Sequence, residues 1–293
     1  MATSWPDPPP LFDIDDGGER PTWFSRSART RGGVPRRAAH ASQEEITMVF
    51  DVPSTVAASP AGVSRPGLDR VGVFDLETTG VDVENDRIVT AYVGLLDRDG
   101  SVIHDERWMA DPGVEIPEGA TAVHGITTER ARAEGRPAAE VAAEIVAALR
   151  TIFAGGIPIV AYNAPFDFSL LKHEALRHGV EPIAQPTPVV DPLVIDKSFD
   201  RFRRGKRTLE TVAAHYDVDL DAAHEASADA VAAGRVALAI ADRYADRLPA
   251  DPDELHTRQI GWAREQAESL TEYFVKIGRL DPEEALDGSW PIR

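Results

Sequence analysis

Three β-rich runs between residues 71 and 109 constrain the fold more than any other feature of the chain. They are VGVFDLE, RIVTAYVGLLD and SVIHDERWM, and a DRDG sequence at residues 97–100 separates the last two. Such a sequence is typical of a hairpin turn between antiparallel strands. The pattern therefore predicts a three-stranded antiparallel meander at the start of the folded region.

Helices and strands alternate after this meander. In the run AAEVAAEIVAALRTIFA, Val141, Ile145 and Leu149 recur at helical spacing before a Gly-Gly pair ends the run. The other predicted elements are a helix in TTERARAEG, strands over 158–163 and 187–192, and helices over 166–179, 208–216, 225–247 and 253–277. A meander followed by this alternation predicts an α/β fold with helices on a mixed sheet.

Composition limits the possible ligands. The 293 residues contain 31 Lys and Arg against 49 Asp and Glu, a net charge of −18. This charge disfavours non-specific binding to nucleic acid or anionic lipid, so a polyanion has to be bound by a local group of cations. The chain has no cysteine, which excludes disulfides, thiolate zinc sites and cysteine nucleophiles. A metal ion would have to bind oxygen and imidazole.

The distribution of residues predicts three segments. Residues 1–66 contain Pro-rich and Arg-rich runs without helical or strand periodicity, which predicts a disordered tail. Residues 67–248 form the main folded domain, and Pro249 and Pro252 separate it from a C-terminal helical extension over 249–293. No run approaches the roughly 18 apolar residues of a membrane span, and no signal pattern is found at the start. We therefore expect a cytoplasmic protein without a membrane partner.

Acidic residues occur on three of the predicted elements. Asp75 and Glu77 end the first strand and, being two apart, project from one face of the sheet. Asp167 lies near the start of the helix after strand 158–163, and Asp229 lies in the first turns of helix 225–247, five residues after His224. Four carboxylates and one histidine in this order supply what two divalent ions and a water nucleophile require.

Polar residues beside these acids are candidates for substrate contacts. Thr78, Thr79 and Gly80 follow the first acid pair, and their hydroxyls, N–H groups and flexible backbone suit a phosphate or ribose. Asn163 ends the strand over 158–163 and is either a donor to phosphate or sugar or a turn former.

Two phenylalanines flank the third acid. One of Phe166 and Phe168 is expected to pack in the core and the other to stack on a base, since every base has a π-face. The pattern does not decide between them, and we select Phe168 for the stacking role.

The strings FDLETTG, NAPFDFSLL and HEASADA resemble the three exonuclease motifs of the DnaQ-like family, the DEDD exonucleases of the His subtype. The resemblance covers roughly residues 69–247. It implies a ribonuclease H-like core and removal of nucleoside monophosphates from a nucleic acid 3′ end. It also implies that two Mg²⁺ or Mn²⁺ ions are held by the four carboxylates, Asp75, Glu77, Asp167 and Asp229, and that His224 is the general base.

The string AVHGIT at residues 122–127 is similar to a further feature of that family. The resemblance implies that Val123 and His124 lie near the terminal nucleotide. Leu76, within the first motif, is assigned to the substrate contacts with them.

A basic loop supplies the local cations that an acidic chain needs. We use the name basic loop for RFRRGKR at residues 201–207, which carries five cations just before a predicted helix. A solvated loop is the alternative, but the acidity of the remaining folded surface favours contact with a substrate strand. We assign Arg204 and Arg207 to that contact.

The motifs leave the substrate and partners open. A DNA exonuclease of repair or proofreading type is favoured, and RNA 3′-end trimming or oligoribonuclease activity is the alternative enzyme. A catalytically silent nucleic-acid-binding module is a third hypothesis, against which the complete set of acids argues. A DNA polymerase or repair partner is compatible with the resemblance, but we expect free-standing action. Residues 273–280 of the extension have apolar helical spacing and are expected to pack on the core or on a second copy.

Overall fold

The computed structural model describes residues 68–220 and 226–293. The predicted disordered tail and His224 lie outside these residues. Within them, no helix is long and apolar enough to cross a membrane.

One mixed sheet contains the predicted meander. Strands β1 (Arg70–Thr78), β2 (Ile88–Asp97) and β3 (Val102–Asp111) pair in antiparallel fashion, as predicted. Short strands β4 (Arg136–Pro137), β5 (Ile159–Val160) and β6 (Val189–Val190) complete the order β4-β3-β2-β1-β5-β6. β5 runs parallel to β1, and β6 runs parallel to β5. The carboxyl end of β1 therefore lies beside the carboxyl end of β5, where the next helix begins.

The helices agree with the periodic segments of the sequence, with two additions. Short helices α1 and α5 were not among the predicted elements. The helices are α1 (Glu118–His124), α2 (Thr128–Glu134), α3 (Ala138–Ala154), α4 (Ala164–Arg177), α5 (Pro192–Phe199), α6 (Leu209–His215), α7 (Ala226–Arg243) and α8 (Pro252–Lys276). The predicted α/β class, a ribonuclease H-like mixed sheet flanked by helices, is confirmed.

Apolar side chains cover both faces of the sheet because residues alternate along β1. Phe74 and Leu76 join a core with α3 and α4 on one face. Val71 and Val73 join a second core with α6 and α7 on the other face. Gly234 lets α7 approach this face closely, since a Cβ there would lie 2.5 Å from side-chain atoms of Leu96 and Val73. The close fit fixes the position of α7 against β1.

The C-terminal extension packs against the sheet. Leu255 of α8 belongs to the second core, whereas Trp290, beyond the helix, belongs to the first. Gln259 is buried and links α8 to β6, because its side chain accepts the N–H of Asp191 at 2.7 Å and donates to the carbonyl of Val189 at 2.9 Å. Phe274 is buried as the apolar spacing predicts, but Ile277 is 42% exposed.

Candidate active site

Strand β1 places two carboxylates on one side of the sheet. Asp75 pairs with Tyr92 and Glu77 pairs with Thr90 in the antiparallel register. Both acids share the side of Val71 and Val73, which faces α7. The register shifts directly after Glu77, so regular pairing ends at the acid pair. Asp75 and Glu77 are each partly exposed at this point.

Helix α4 brings the third carboxylate to the same strand end. Asp167 lies in the first turn of α4 and is 2% exposed. Its Oδ1 accepts the backbone N–H of Leu76 at 3.2 Å, between the two acids of β1. This hydrogen bond fixes the start of α4 to the end of β1.

Helix α7 supplies the fourth carboxylate. Asp229 lies in the first turn of α7, which packs against β1 and β2. Its charge acts on both Asp75 and Glu77. Three elements thus bring together the four acids that the motifs predict, whereas His224, the predicted general base, falls outside the described residues.

Burial and mutual repulsion raise the pKa values of these acids. Burial is the largest cause of the raised pKa of Asp75, followed by the negative charges of Asp167, Glu77 and Asp229. Burial and then Asp229 raise the pKa of Glu77 to about 7. Burial also raises the pKa of Asp167, although hydrogen bonds from backbone N–H groups partly offset it. A cation bound here would relieve the repulsion.

The donor set fits a hard divalent cation, since all four groups offer carboxylate oxygens. Across residues 68–220 and 226–293, however, no three His, Asp or Glu side chains are arranged as a ready-made metal cluster. The acids are near enough to repel one another but do not converge on one point. A bound ion would favour their convergence, because it neutralises charges that repel one another.

The turn after β1 differs in part from its predicted role. Thr79 is 4% exposed, and its hydroxyl donates to Asp86 at 2.8 Å and accepts the N–H of Arg87 at 3.0 Å. The prediction that this hydroxyl contacts substrate is therefore wrong, because it closes the turn instead. Thr78 donates to the carbonyl of Gly80 at 2.6 Å, and both residues are partly exposed. Their role toward substrate stays a prediction.

Helix α1 and its C-terminal glycine bring the string AVHGIT next to this turn. Nδ1 of His124 accepts the N–H of Ile126 at 3.1 Å. Burial lowers the pKa of His124, and the neighbouring backbone of Thr78 partly offsets this. Val123 is 55% exposed. Helix α1 therefore places His124 beside the backbone of Thr78, and the roles of Val123 and His124 toward a terminal nucleotide stay predictions.

Two predicted substrate contacts belong to the core instead. Phe168 is 2% exposed and packs against Phe74 with ring centroids 5.4 Å apart, so its assignment to base stacking is wrong. Phe166 is the partly exposed member of the pair. Leu76 is also wrongly assigned, because its side chain lies in the core and its N–H binds Asp167.

The basic loop is anchored by a buried acid. Asp196, which is fully buried, accepts hydrogen bonds from Arg203 and Arg207, and from Tyr216 Oη at 2.9 Å. The side chain of Arg207 is 6% exposed, so its assignment to the substrate strand is wrong. Arg204 is exposed and stays a candidate for that contact. The arginines of the loop therefore divide into anchors and exposed cations.

Two positioning residues were missed at the sequence level. Asp191 is fully buried and accepts the N–H groups of Asn163 and Ala164 at 3.1 and 3.0 Å, which holds the end of β5 where α4 begins. Asn163 itself adopts a left-handed backbone with φ 62°, in agreement with the turn-former alternative. Asp196 is the second missed residue. The sequence DPLVID carries a signal for Asp191, because an Asp-Pro pair is typical of a helix start.

Comparisons with known proteins agree with this geometry. The exonuclease family model RNase_T matches residues 73–237, more than half of the chain. The DNA polymerase III PolC-type of Lacticaseibacillus paracasei is 32% identical over 168 residues, which are 57% of this chain and 11% of that protein. The PolC-type polymerase of Lactococcus lactis is 30% identical over 195 residues, 65% of this chain and 10% of that protein. The chain thus spans about a tenth of the length of these relatives.

Solved structures of exonuclease I share the fold. One superposes with a TM-score of 0.53 and 22% identity, covering 68% of this chain and 44% of that one. The Escherichia coli enzyme in complex with a dA16 oligonucleotide gives a TM-score of 0.52 and 22% identity, covering 67% and 45%. At this identity the likeness concerns the fold.

Proposed function

Because the chain belongs to the RNase_T exonuclease family, we propose that it removes nucleoside 5′-monophosphates one at a time from the 3′ end of DNA. The observation that carries the proposal is the approach of four carboxylates from β1, α4 and α7, where burial and the charges of the other three raise the pKa of Asp75. An acidic cluster of this kind is stable in its ionised form only with bound cations. A silent binding module has no need of it.

Asp75, Glu77, Asp167 and Asp229 would hold two divalent ions, Mg²⁺ or Mn²⁺. When bound, such ions lower the pKa of an attacking water and stabilise charge on the leaving oxygen. The hydrogen bond from Leu76 to Asp167 keeps two of the ligand-bearing segments in register. The close packing of α7 on β1 at Gly234 holds the third segment beside these two.

His224 is proposed as the general base, on the strength of the third motif. It precedes α7 and lies five residues before Asp229. A neutral imidazole has a pKa close to the working pH and accepts the proton of the attacking water. Burial lowers the pKa of His124 on α1, and this residue is proposed to contact the terminal nucleotide together with Val123.

DNA is the proposed substrate because of what the similar proteins are. The PolC-type relatives are DNA polymerases, and one exonuclease I structure contains a DNA oligonucleotide. A polymerase or repair protein is a proposed partner on the same grounds, with free-standing action as the simpler case. Exposed cations of the basic loop, such as Arg204, are proposed to bind the phosphates of the strand.

The test is a cleavage assay with labelled single strands of DNA and RNA. Wild type, Asp75→Asn and His224→Ala are incubated with Mg²⁺, Mn²⁺ or EDTA. We expect metal-dependent loss of single nucleotides from the 3′ end, abolished in Asp75→Asn and strongly reduced in His224→Ala. Asp105→Asn on β3 is the matched control and should cleave like wild type.

Each outcome of this assay has a definite meaning. Intact substrates with both metals would refute the exonuclease proposal. Cleavage of RNA in preference to DNA would show that the substrate is RNA, as in 3′-end trimming. Cleavage from the 5′ end would contradict the polarity.

A further inference from the structure

A cavity of about 630 Å³ lies between the start of α4, helix α5, the basic loop and the C-terminal extension. This volume is within the range of sites for small organic ligands. We call it the extension cavity, because α8 and residues 287–293 form one wall of it. The four carboxylates are not among its lining residues.

The extension cavity adjoins the candidate active site along the chain. Val81 lines it and follows Glu77 by four residues. Asn163 and Phe166 line it and precede Asp167 by four residues and by one residue. Both segments that present catalytic acids therefore continue into the wall of the cavity. A strand whose 3′ end reaches the carboxylates can extend into it.

The wall opposite these segments lies outside the family match. The match ends at residue 237, whereas α8 begins at Pro252. Ala267, Leu270 and Phe274 of α8 line the cavity. The extension cavity is accordingly a feature of this chain's own C-terminal segment rather than of the shared exonuclease core.

The lining suits a ligand with an aromatic and an anionic part. Phe166, Leu270, Phe274 and Trp290 provide apolar surface. The charged lining residues are four cations and two acids, Lys197, Lys206, Arg207, Arg293, Asp191 and Asp287. Arg207 is bonded to Asp196 and does not serve a ligand, so Lys197 and Lys206 are the cations assigned to a phosphate, although the whole chain carries −18.

Asp191 and Lys197 are two of the ionisable groups that line the cavity. The carboxylate of Asp191 is used within the protein, because it accepts three backbone N–H groups and the indole N–H of Trp290 at 3.3 Å. Burial lowers the pKa of Lys197 to about 8, so its ammonium is still charged at neutral pH. An anion in the cavity would stabilise that charge.

We propose that the extension cavity binds an upstream nucleotide of the strand whose 3′ end is at the carboxylates. The base lies against Phe166 and the apolar side chains of α8, and the phosphate lies near Lys197 and Lys206. The assignment of a nucleic acid strand to the cavity rests on the proposed function. The extension thereby makes binding depend on strand length.

The test uses Ala267→Phe, which fills the cavity from α8, and Thr257→Phe, which adds the same ring at an exposed position of α8 outside the lining. Binding of 5′-fluorescein-labelled dT8 is followed by anisotropy in EDTA, so that catalysis is not needed. We expect Ala267→Phe to weaken binding about tenfold, the loss typical of one stacked base. Thr257→Phe should bind like wild type.

A cleavage experiment separates this inference from the proposed function. Wild type is given the p-nitrophenyl ester of thymidine 5′-monophosphate, which reaches only the carboxylates, and oligothymidylates from dT2 to dT8. We expect kcat/KM to rise with length in wild type but not in Ala267→Phe, with equal hydrolysis of the ester by both. If wild type leaves the ester and all oligonucleotides intact, the proposed function fails, and the anisotropy result alone decides the inference.

Two results would overturn the inference. One is the same affinity for dT8 and the same length profile in Ala267→Phe as in wild type. The other is that thymidine 5′-monophosphate displaces dT8 from wild type but not from Ala267→Phe. The extension cavity would then bind a free nucleotide rather than a strand. If Ala267→Phe loses its thermal transition, Lys197→Gln replaces it, and the loss of one phosphate contact is expected to weaken binding of dT8 and to lower its salt dependence.

Discussion

Replacing Glu77 by glutamine is expected to stabilise the metal-free protein at pH 8. The folded structure raises the pKa of Glu77 from its ordinary 4.5 to about 7, through burial and the charge of Asp229. A raised pKa means that the folded state binds the proton more tightly than the unfolded state does. The stability from this protonation is present below pH 4.5 and is lost as the pH rises through about 7.

The size of the effect follows from that pKa difference. The change from 4.5 to about 7 corresponds to about 3 kcal/mol. Partial exposure of the carboxyl reduces this to about 2 kcal/mol, because solvent screens the charge. Glutamine has no charge to bury, so the variant avoids the loss at pH 8. For a domain of this size, the gain corresponds to about 4–8 °C in Tm.

The assay is thermal unfolding by circular dichroism in EDTA at pH 5 and pH 8, and at pH 8 with Mg²⁺. The advantage of Glu77→Gln over wild type should be much smaller at pH 5. With Mg²⁺ the order should reverse, because ions that bind only the folded state stabilise it, and the variant lacks one ligand. Glu268→Gln, at an exposed position of α8, is the control and should follow wild type throughout.

The reasoning is refuted by either of two results. One is an equal Tm of wild type and Glu77→Gln in EDTA at pH 8. The other is an equal gain of both proteins from Mg²⁺, since Glu77 would then not contribute to the metal site.

Three other substitutions test the packing and the basic loop. Asp196→Asn should destabilise the protein by about 3–5 kcal/mol, because Arg207 stays buried after its charged partner is lost. An unchanged midpoint of the urea unfolding curve would contradict the anchoring role of Asp196. Gly234→Ala should lower the free energy of unfolding by about 1–3 kcal/mol and lower exonuclease activity, because the new Cβ would overlap Leu96 and push α7 from β1. A variant as stable as wild type would contradict the close fit. Arg204→Ala should weaken DNA binding and reduce the slope of log affinity against log salt by about 1, as for one lost phosphate contact; an unchanged slope would exclude that contact.

Much of the fold could be predicted because it rests on local patterns. The three strands of the meander and the long helices α3, α4, α7 and α8 follow from apolar periodicity that each segment carries within itself. Helix α1 was missed because its N-cap, Pro117, gives no side-chain cap, whereas the equally short α2 and α6 begin at capping threonines. For α5, the capping Asp191 followed by Pro192 was the available signal.

The sequence by itself determined which acids are proposed to form the site. Their spacing along the strand puts Asp75 and Glu77 on one face, and the order of motifs puts Asp167 and Asp229 on the elements that pack beside it. These are properties of short segments, so they can be recognised without the structure. The absence of cysteine also restricts a metal site to oxygen and imidazole ligands.

Only the tertiary structure decided which neighbours are available to a substrate. Phe168 rather than Phe166 enters the core, and Arg207 rather than Arg204 is used by Asp196, because partners brought together by folding select among similar residues. The contact of Leu76 with Asp167 spans 91 residues, and that of Gln259 with Asp191 spans 68. Contacts over such separations have no local signal in the sequence. The same physical reason applies to the extension cavity, whose walls meet only when α8 docks on the exonuclease core.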